Sequence, residues 1–184
     1  DPAAGVGRLL RVPSESGCPT MGWDIRDVTR EKRYDPLNIQ SMGDFKRTNS
    51  LSEDWPPGYN VIMNPPFGTR SNDLSTLFLK KAVEHSDKNN VWSIALMLTS
   101  CLQAAKRLCI PMPEFRIDLT WRPRFESPKS MGSGYFKDFS WFVYAPKKAR
   151  TTIDQCRVGL SVNRDSSMTF RVTREPNEVQ RGRA

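Results

Sequence analysis

Four adjacent residues, Asn64-Pro65-Pro66-Phe67, carry the sharpest chemical signal in the chain. An exocyclic amine on a heteroaromatic ring is a weak nucleophile because its lone pair is delocalised into the ring. Two fixed acceptors, here the Asn64 side-chain oxygen and the Pro65 carbonyl, would hold both amine hydrogens and draw the nitrogen towards a tetrahedral geometry. The lone pair is then aimed for in-line attack on a sulfonium methyl carbon. The prolines fix φ and remove competing N–H donors, and Phe67 offers a flat face on which an extruded base can stack. Such a site needs no general base, in keeping with a chain whose single histidine is His85.

Upstream lies an ordered set suited to an adenosyl ligand. Asp1-Pro2-Ala3-Ala4-Gly5-Val6-Gly7 reads as a glycine-rich turn, where the backbone can pass close to a ligand at the carboxyl end of a strand. Its spacing departs from the dinucleotide fingerprint, since position 10 is Leu rather than Gly or Ala. Asp24 ends the next strand expected and is placed to accept hydrogen bonds from ribose hydroxyls. Asp44-Phe45 follows. Each feature alone is weak; their order is what makes the set informative.

The elements that must position these residues form an alternating series. Short strands are expected at Met21 to Ile25, weakly at Ile39 to Met42, and at Tyr59 to Met63, the last ending at Asn64. Asn72 to Ser86 has helical spacing, with Leu74, Leu77, Phe78, Ala82 and Val83 on one side. Val91 to Thr99 is almost continuously apolar, the pattern of a strand covered on both faces. A further helix over Ser100 to Cys109 ends before Pro111 and Pro113. Strands at Arg116 to Trp121 and Phe139 to Tyr144 flank a loop rich in Pro, Gly and Ser. Alternation of this kind implies an α/β fold with crossovers and a mostly parallel sheet. A glycine turn normally follows a buried strand, so a truncated first strand is expected, completed by an upstream segment or a partner subunit.

Composition narrows the class. The 184 residues suffice for one three-layer α/β core, and 38% hydrophobic residues with five Trp and nine Phe argue for a packed interior. Lys and Arg number 28 against 20 acidic residues, a net charge of +8 that favours a polyanionic partner. The longest apolar stretch, Ile94 to Leu98, is too short to span a bilayer, so a soluble protein with no membrane partner is expected. Cys18, Cys101, Cys109 and Cys156 form no C-x-x-C pair, which points to thiols in a reducing compartment and to no metal site. Arg122, Arg124, Lys129 and Lys137, interleaved with Trp121, Phe125, Tyr135 and Phe136, suit phosphate contact and base stacking. Residues 147–184, with nine basic and four acidic side chains, read as a basic extension of the domain at 1–146, open between a short β addition, a basic arm and a partly disordered segment.

Taken in order, Asp1-Pro-Ala-Ala-Gly-Val-Gly7, Gly22-Trp-Asp24, Gly43-Asp44-Phe45 and Tyr59-Asn-Val-Ile-Met-Asn-Pro-Pro-Phe67 resemble the motifs of amino-methyltransferases of the N6-adenine type. The downstream block, Ala95-Leu-Met-Leu, Arg122-Pro-Arg-Phe125 and Phe139-Ser-Trp-Phe-Val-Tyr144, is similar to small phage-type DNA adenine methyltransferases. The resemblance implies a Rossmann-like methyltransferase fold: a three-layer sandwich whose mostly parallel sheet has an antiparallel edge strand. It implies S-adenosylmethionine as cofactor. Asp1 and the turn from Ala3 through Gly5 to Gly7 would hold its methionine part, Asp24 its ribose, Asp44 its adenine amine, and Phe45 the ring. Asn64, Pro65, Pro66 and Phe67 would hold the target base, and the implied substrate is nucleic acid, DNA ahead of RNA. The catalytic motif also occurs in RNA base and protein glutamine methyltransferases. A non-catalytic methyltransferase-like subunit of a nucleoprotein assembly is the competing reading.

Overall fold

The structure, a computed structural model, describes residues 1–28, 43–67, 73–101, 110–119 and 138–149, and the backbone alone of Arg150, 156–162 and 168–174. Among the described residues, eight strands fall in two sheets. β1 (Met21–Asp24) and β2 (Asp44–Arg47) pair in parallel, and β3 (Val61–Met63), β4 (Ser93–Leu98), β5 (Phe115–Leu119), β6 (Phe139–Tyr144), β7 (Cys156–Val162) and β8 (Met168–Arg174) form a second sheet in the order β3-β4-β6-β5-β7-β8. A 3₁₀ turn at Arg8–Leu10 runs into α1 (Arg11–Glu15); α2 spans Leu74–Asn89 and α3 Lys147–Arg150.

The architecture is α/β, but the sheets are mixed. β3 runs parallel to β4 and β5 to β7, while β6 is antiparallel to both β4 and β5, and β8 to β7. Antiparallel strands therefore lie both inside this sheet, at β6, and at its edge, at β8. The cause is the tail: β7 and β8 hydrogen-bond onward from β5, so residues after 146 widen the sheet. The segment Ile39 to Met42, all but the first two residues of the helix expected over Ser100 to Cys109, and the loop expected at Arg122 to Lys137 lie outside the described residues.

β3, α2 and β4 form the unit that matters most for the site. Asp73 caps α2, its carboxylate accepting the Thr76 N–H at 3.2 Å and two hydroxyl donors. Asn90, left-handed at φ 56°, stops the helix. Between the caps, Ser75, Phe78, Leu79, Ala82, Val83 and Ser86 recur at helical spacing and are all buried. Phe78, Leu79, Ala82 and Val83 pack with Val61, Met63, Ala95, Met97, Phe142 and Tyr144 in the main core, which Trp23 and Trp55 join. A second, smaller cluster of Ala4, Leu10 and Val28 packs against Phe45 and Ile62. Because Val61 and Ile62 are adjacent on one strand, their side chains take opposite faces, and the two clusters cover the two sides of β3.

One interaction ties the helix to the loop after β2. The Lys81 ammonium donates to the carbonyls of Ser50, Leu51 and Glu53 and lies 5.4 Å from the centre of the Trp55 ring. All three of its protons are used. The Ser50 hydroxyl in turn donates to the Pro2 carbonyl, and the Trp55 indole N–H to the Ser50 carbonyl at 2.8 Å. Replacing Lys81 by methionine keeps the stem and removes the donors, leaving three carbonyls to find water. Lys81→Met should lower unfolding free energy by about 1–3 kcal/mol in urea denaturation; an unchanged midpoint would show that this clamp is dispensable.

Candidate active site

The glycine turn is built by hydrogen bonds to β1. The Asp1 nitrogen donates to the Met21 carbonyl at 2.8 Å, the Trp23 N–H to the Asp1 carbonyl at 2.8 Å, and the Ala4 N–H to the Trp23 carbonyl at 2.8 Å. The first two bonds are those that a residue of a parallel strand exchanges with the neighbours of its partner. Past Ala4 the chain leaves the sheet and turns through Gly5 and Gly7, both left-handed at φ 51° and 76°. A side chain at Gly5 would meet only Arg26 Nη2, at 3.9 Å. Glycine there serves the backbone conformation, and the space beside it is open.

Asp24 closes the turn. One carboxylate oxygen accepts the Gly5 N–H at 2.9 Å, and the other accepts the Arg26 N–H at 2.9 Å with the Arg26 guanidinium at 3.3 Å. The residue is buried, with 8% of its surface exposed. Its first task is thus structural, fixing the Gly5 amide; the oxygen facing Gly5 keeps a second lone pair for a ligand hydroxyl. Asp1 is likewise engaged, its side chain accepting the Ala3 N–H at 2.9 Å.

Asp44 is not brought to this end. It is exposed and pairs with Met21, whereas Asp24 pairs with Arg47, so Asp44 stands about 10 Å back along the strands from the level of Asp24. The reason is local. Gly43, at φ 53°, crosses so close to the Thr20 carbonyl that no side chain fits, and β2 starts there. Phe45 packs against the cluster of Ala4, Leu10 and Val28 instead. The residues that do reach the carboxyl end of β2 are Thr48, whose N–H donates to the Asp24 carbonyl at 2.9 Å, and Ser50, bonded to Pro2. Neither carries a sequence signal beyond position after a strand.

Asn64 to Phe67 follow directly from β3. Pro65 is fully buried, Pro66 exposed and Phe67 half-buried. The Asn64 side-chain oxygen is shielded from solvent and has no hydrogen-bond partner. A buried acceptor left empty costs stability, so it calls for a donor from elsewhere. The Phe67 ring tilts against Phe139 at a centroid distance of 5.9 Å. Beside Phe139, Thr99, Ser140 and Asp118 form a chain of hydroxyl and carboxylate bonds at 2.7 Å each, and Asp118 pairs with Arg116 at 2.9 Å. Ser140 is fully buried, and no sequence signal marks this polar chain.

Comparison with protein-family models and with curated proteins finds no match. Arg122, Arg124, Lys129 and Lys137 lie outside the described residues. Among the described residues no cluster of His, Cys, Asp or Glu could hold a metal, and no helix is long and apolar enough to cross a membrane. Cys18 is exposed and Cys101 buried.

A cavity of about 480 Å³ opens between β1 and β3. Neither Asn64 nor Gly5 lines it; Trp23, Trp55, Val61, Ile62 and His85 do. His85 packs against Trp55 at 5.6 Å and takes the Asn89 amide on Nδ1 at 2.9 Å, which leaves the ring proton on Nε2. Burial holds its pKa below the ordinary 6.5; the Tyr59 carbonyl pulls the other way, and Lys88 and Lys81 push it further down. Below pH 6.5 the unfolded chain then binds a proton that the native chain refuses, so stability falls as pH drops. In melting curves from pH 7.5 down to about 5.5, His85→Gln should flatten that decline. An equally steep decline in the variant would place its source elsewhere.

Proposed function

We propose that this chain is a methyltransferase that moves a methyl group from S-adenosylmethionine to the exocyclic N6 of adenine in nucleic acid, DNA ahead of RNA, on a Rossmann-like fold. The observation that carries this reading is the buried, unpartnered Asn64 oxygen at the mouth of the Pro65-Pro66 turn. It is an acceptor already desolvated, so a donor placed there meets little competition from water. An amine of an unstacked base supplies such a donor.

The residues present fit the cofactor at the glycine turn. The left-handed Gly5 and Gly7 hold the backbone open at that point, and Asp24 keeps an acceptor beside it. When bound, S-adenosylmethionine supplies an electrophilic methyl on a sulfonium sulfur. In this chain, Asn64 and the Pro65 carbonyl would hold the two amine hydrogens and orient the nitrogen lone pair. Phe67, braced by Phe139, would stack the base, and the buried Pro65 would keep the carbonyl direction fixed. The net charge of +8 favours the phosphate backbone of the substrate.

A second reading rests on the occupied Asp24 carboxylate and on a cavity that avoids Asn64: a methyltransferase-like domain that binds within a nucleoprotein assembly without catalysis. Mass spectrometry of nucleosides separates the two. DNA and RNA incubated with the chain and a methyl-labelled donor should yield labelled N6-methyladenine. Asn64→Ala should reduce the rate by roughly 10² or more with the fold intact, as for loss of one pre-arranged polar partner. Full activity in that variant would remove the proposed mechanism, and no labelled base from either nucleic acid would favour the non-catalytic domain.

A further inference from the structure

We propose that Thr99, Ser140 and Asp118 are positioning residues: their hydrogen-bonded chain across β4, β6 and β5 holds Phe139, and Phe139 sets the ring of Phe67 on which the target base stacks. The inference rests on the base-stacking role proposed for Phe67 and adds the residues that fix that ring.

Phe139 is the first residue of β6, and the end of a strand opens more readily than its middle. One residue grips it from both neighbours. The Thr99 N–H donates to the Asp138 carbonyl at 2.9 Å, and the Thr99 hydroxyl meets the Ser140 hydroxyl at 2.7 Å. Leu98 pairs with Phe139 itself, so Thr99 stands just past the end of β4. Side chains alternate between the faces of a strand. Ser140 pairs with Met97 of the main core and with Asp118, which puts the polar chain on the face packed against α2. Phe139 turns to the other face, buried, with its ring 5.9 Å from that of Phe67.

The chain has one proton order. An ionised carboxylate only accepts, so the single hydroxyl proton of Ser140 goes to Asp118, at 2.7 Å. Ser140 then has only lone pairs to offer Thr99, and Thr99 must donate. Ser140 is fully buried, where a hydroxyl without partners costs stability; between Thr99 and Asp118 it donates once and accepts once. Arg116 balances the carboxylate, with Nε 2.9 Å from Oδ1 and Nη2 3.0 Å from Oδ2. Ser140 is also the one small polar residue of β6, in a run where valine or alanine would pack without any network. Its place beside Phe139 connects it to the site. A reactant displaced by about 1 Å can lose roughly 10² in rate, so a pinned stacking ring has kinetic value. The cofactor turn is held by other bonds, from Gly5 to Asp24 and from Ser50 to Pro2, and neither involves β4, β5 or β6. The chain should therefore act on the base and not on the cofactor.

The test compares two substitutions in the full chain. Thr99→Val removes the hydroxyl and keeps the branched shape and the N–H, whereas Thr99→Ser keeps the hydroxyl. Below the melting transition of each variant, Thr99→Val should methylate adenine-containing DNA with kcat lowered about tenfold or more. Its KM for S-adenosylmethionine should stay within about twofold, and Thr99→Ser should restore kcat to within about twofold. Proton–carbon spectra of the aromatic rings should show the Phe67 and Phe139 signals moved or broadened in Thr99→Val and in place in Thr99→Ser. Unmoved ring signals in Thr99→Val would overturn the proposal, as would an undiminished kcat or a serine variant as impaired as the valine one. A KM for S-adenosylmethionine that rises as far as kcat falls would do the same, because it would mean a general loosening of the site. Absence of methyl transfer by the unsubstituted chain would count against the enzyme reading alone, and the ring signals would then decide whether the chain braces Phe67.

Discussion

The buried Asp24 carboxylate, shared between the Gly5 and Arg26 amides, is the constraint on which the candidate site depends. Hydrogen bonds to a charged acceptor are roughly twice as strong as neutral ones, and here they cross from one strand end to the turn that must stay open beside it. The turn is held from its other side by Asp1 and Ala4 on β1 and by Ser50 on Pro2. Ser50 is itself held through Lys81, which reaches from the middle of α2. A glycine turn is conformationally permissive and costly to order; this chain orders it with polar bonds from three separate elements.

Against that braced turn, Asn64 to Phe67 form a second fixed point. The prolines restrict the backbone, and β3 is held between the main core and the small cluster of Ala4, Leu10 and Val28. The 3₁₀ turn following the glycines packs onto β3 through Leu10 and Ile62, so the two halves of the site share a wall. Pre-organisation is what amine methylation requires, because the nucleophile gains reactivity from geometry rather than from a proton acceptor. The unpartnered Asn64 oxygen is the kind of local violation of polar pairing that stable folds retain at sites of use.

Much of this frame was legible in the residues. The strands at Met21, Val61, Ser93 and Phe139 and the helix after Asp73 follow from apolar runs and helical spacing, signals that burial on one or both faces imposes. The helix runs one turn further than its apolar spacing indicates because Asn90, not a change in hydrophobicity, ends it. One feature was left open between readings, and one was misread. The tail alternates Cys156, Val158, Leu160 and Val162 with Arg157, Gly159 and Ser161, then Met168, Phe170 and Val172 with Thr169, Arg171 and Thr173, a strand period masked by its basic composition. The place of Asp44 was misread for a different reason: a weak strand expected at Ile39 to Met42 put Asp44 after a strand's end, whereas the close approach of Gly43 to Thr20 stands at a strand's beginning.

The central claim is that the glycine turn and Asn64 serve one ligand. Backbone amide shifts recorded while S-adenosylmethionine is titrated into the chain test it most directly. The account predicts saturable shifts at Gly5, Gly7 and Asn64 with a single dissociation constant. Shifts at the glycines alone, or none at any of the three, would contradict it.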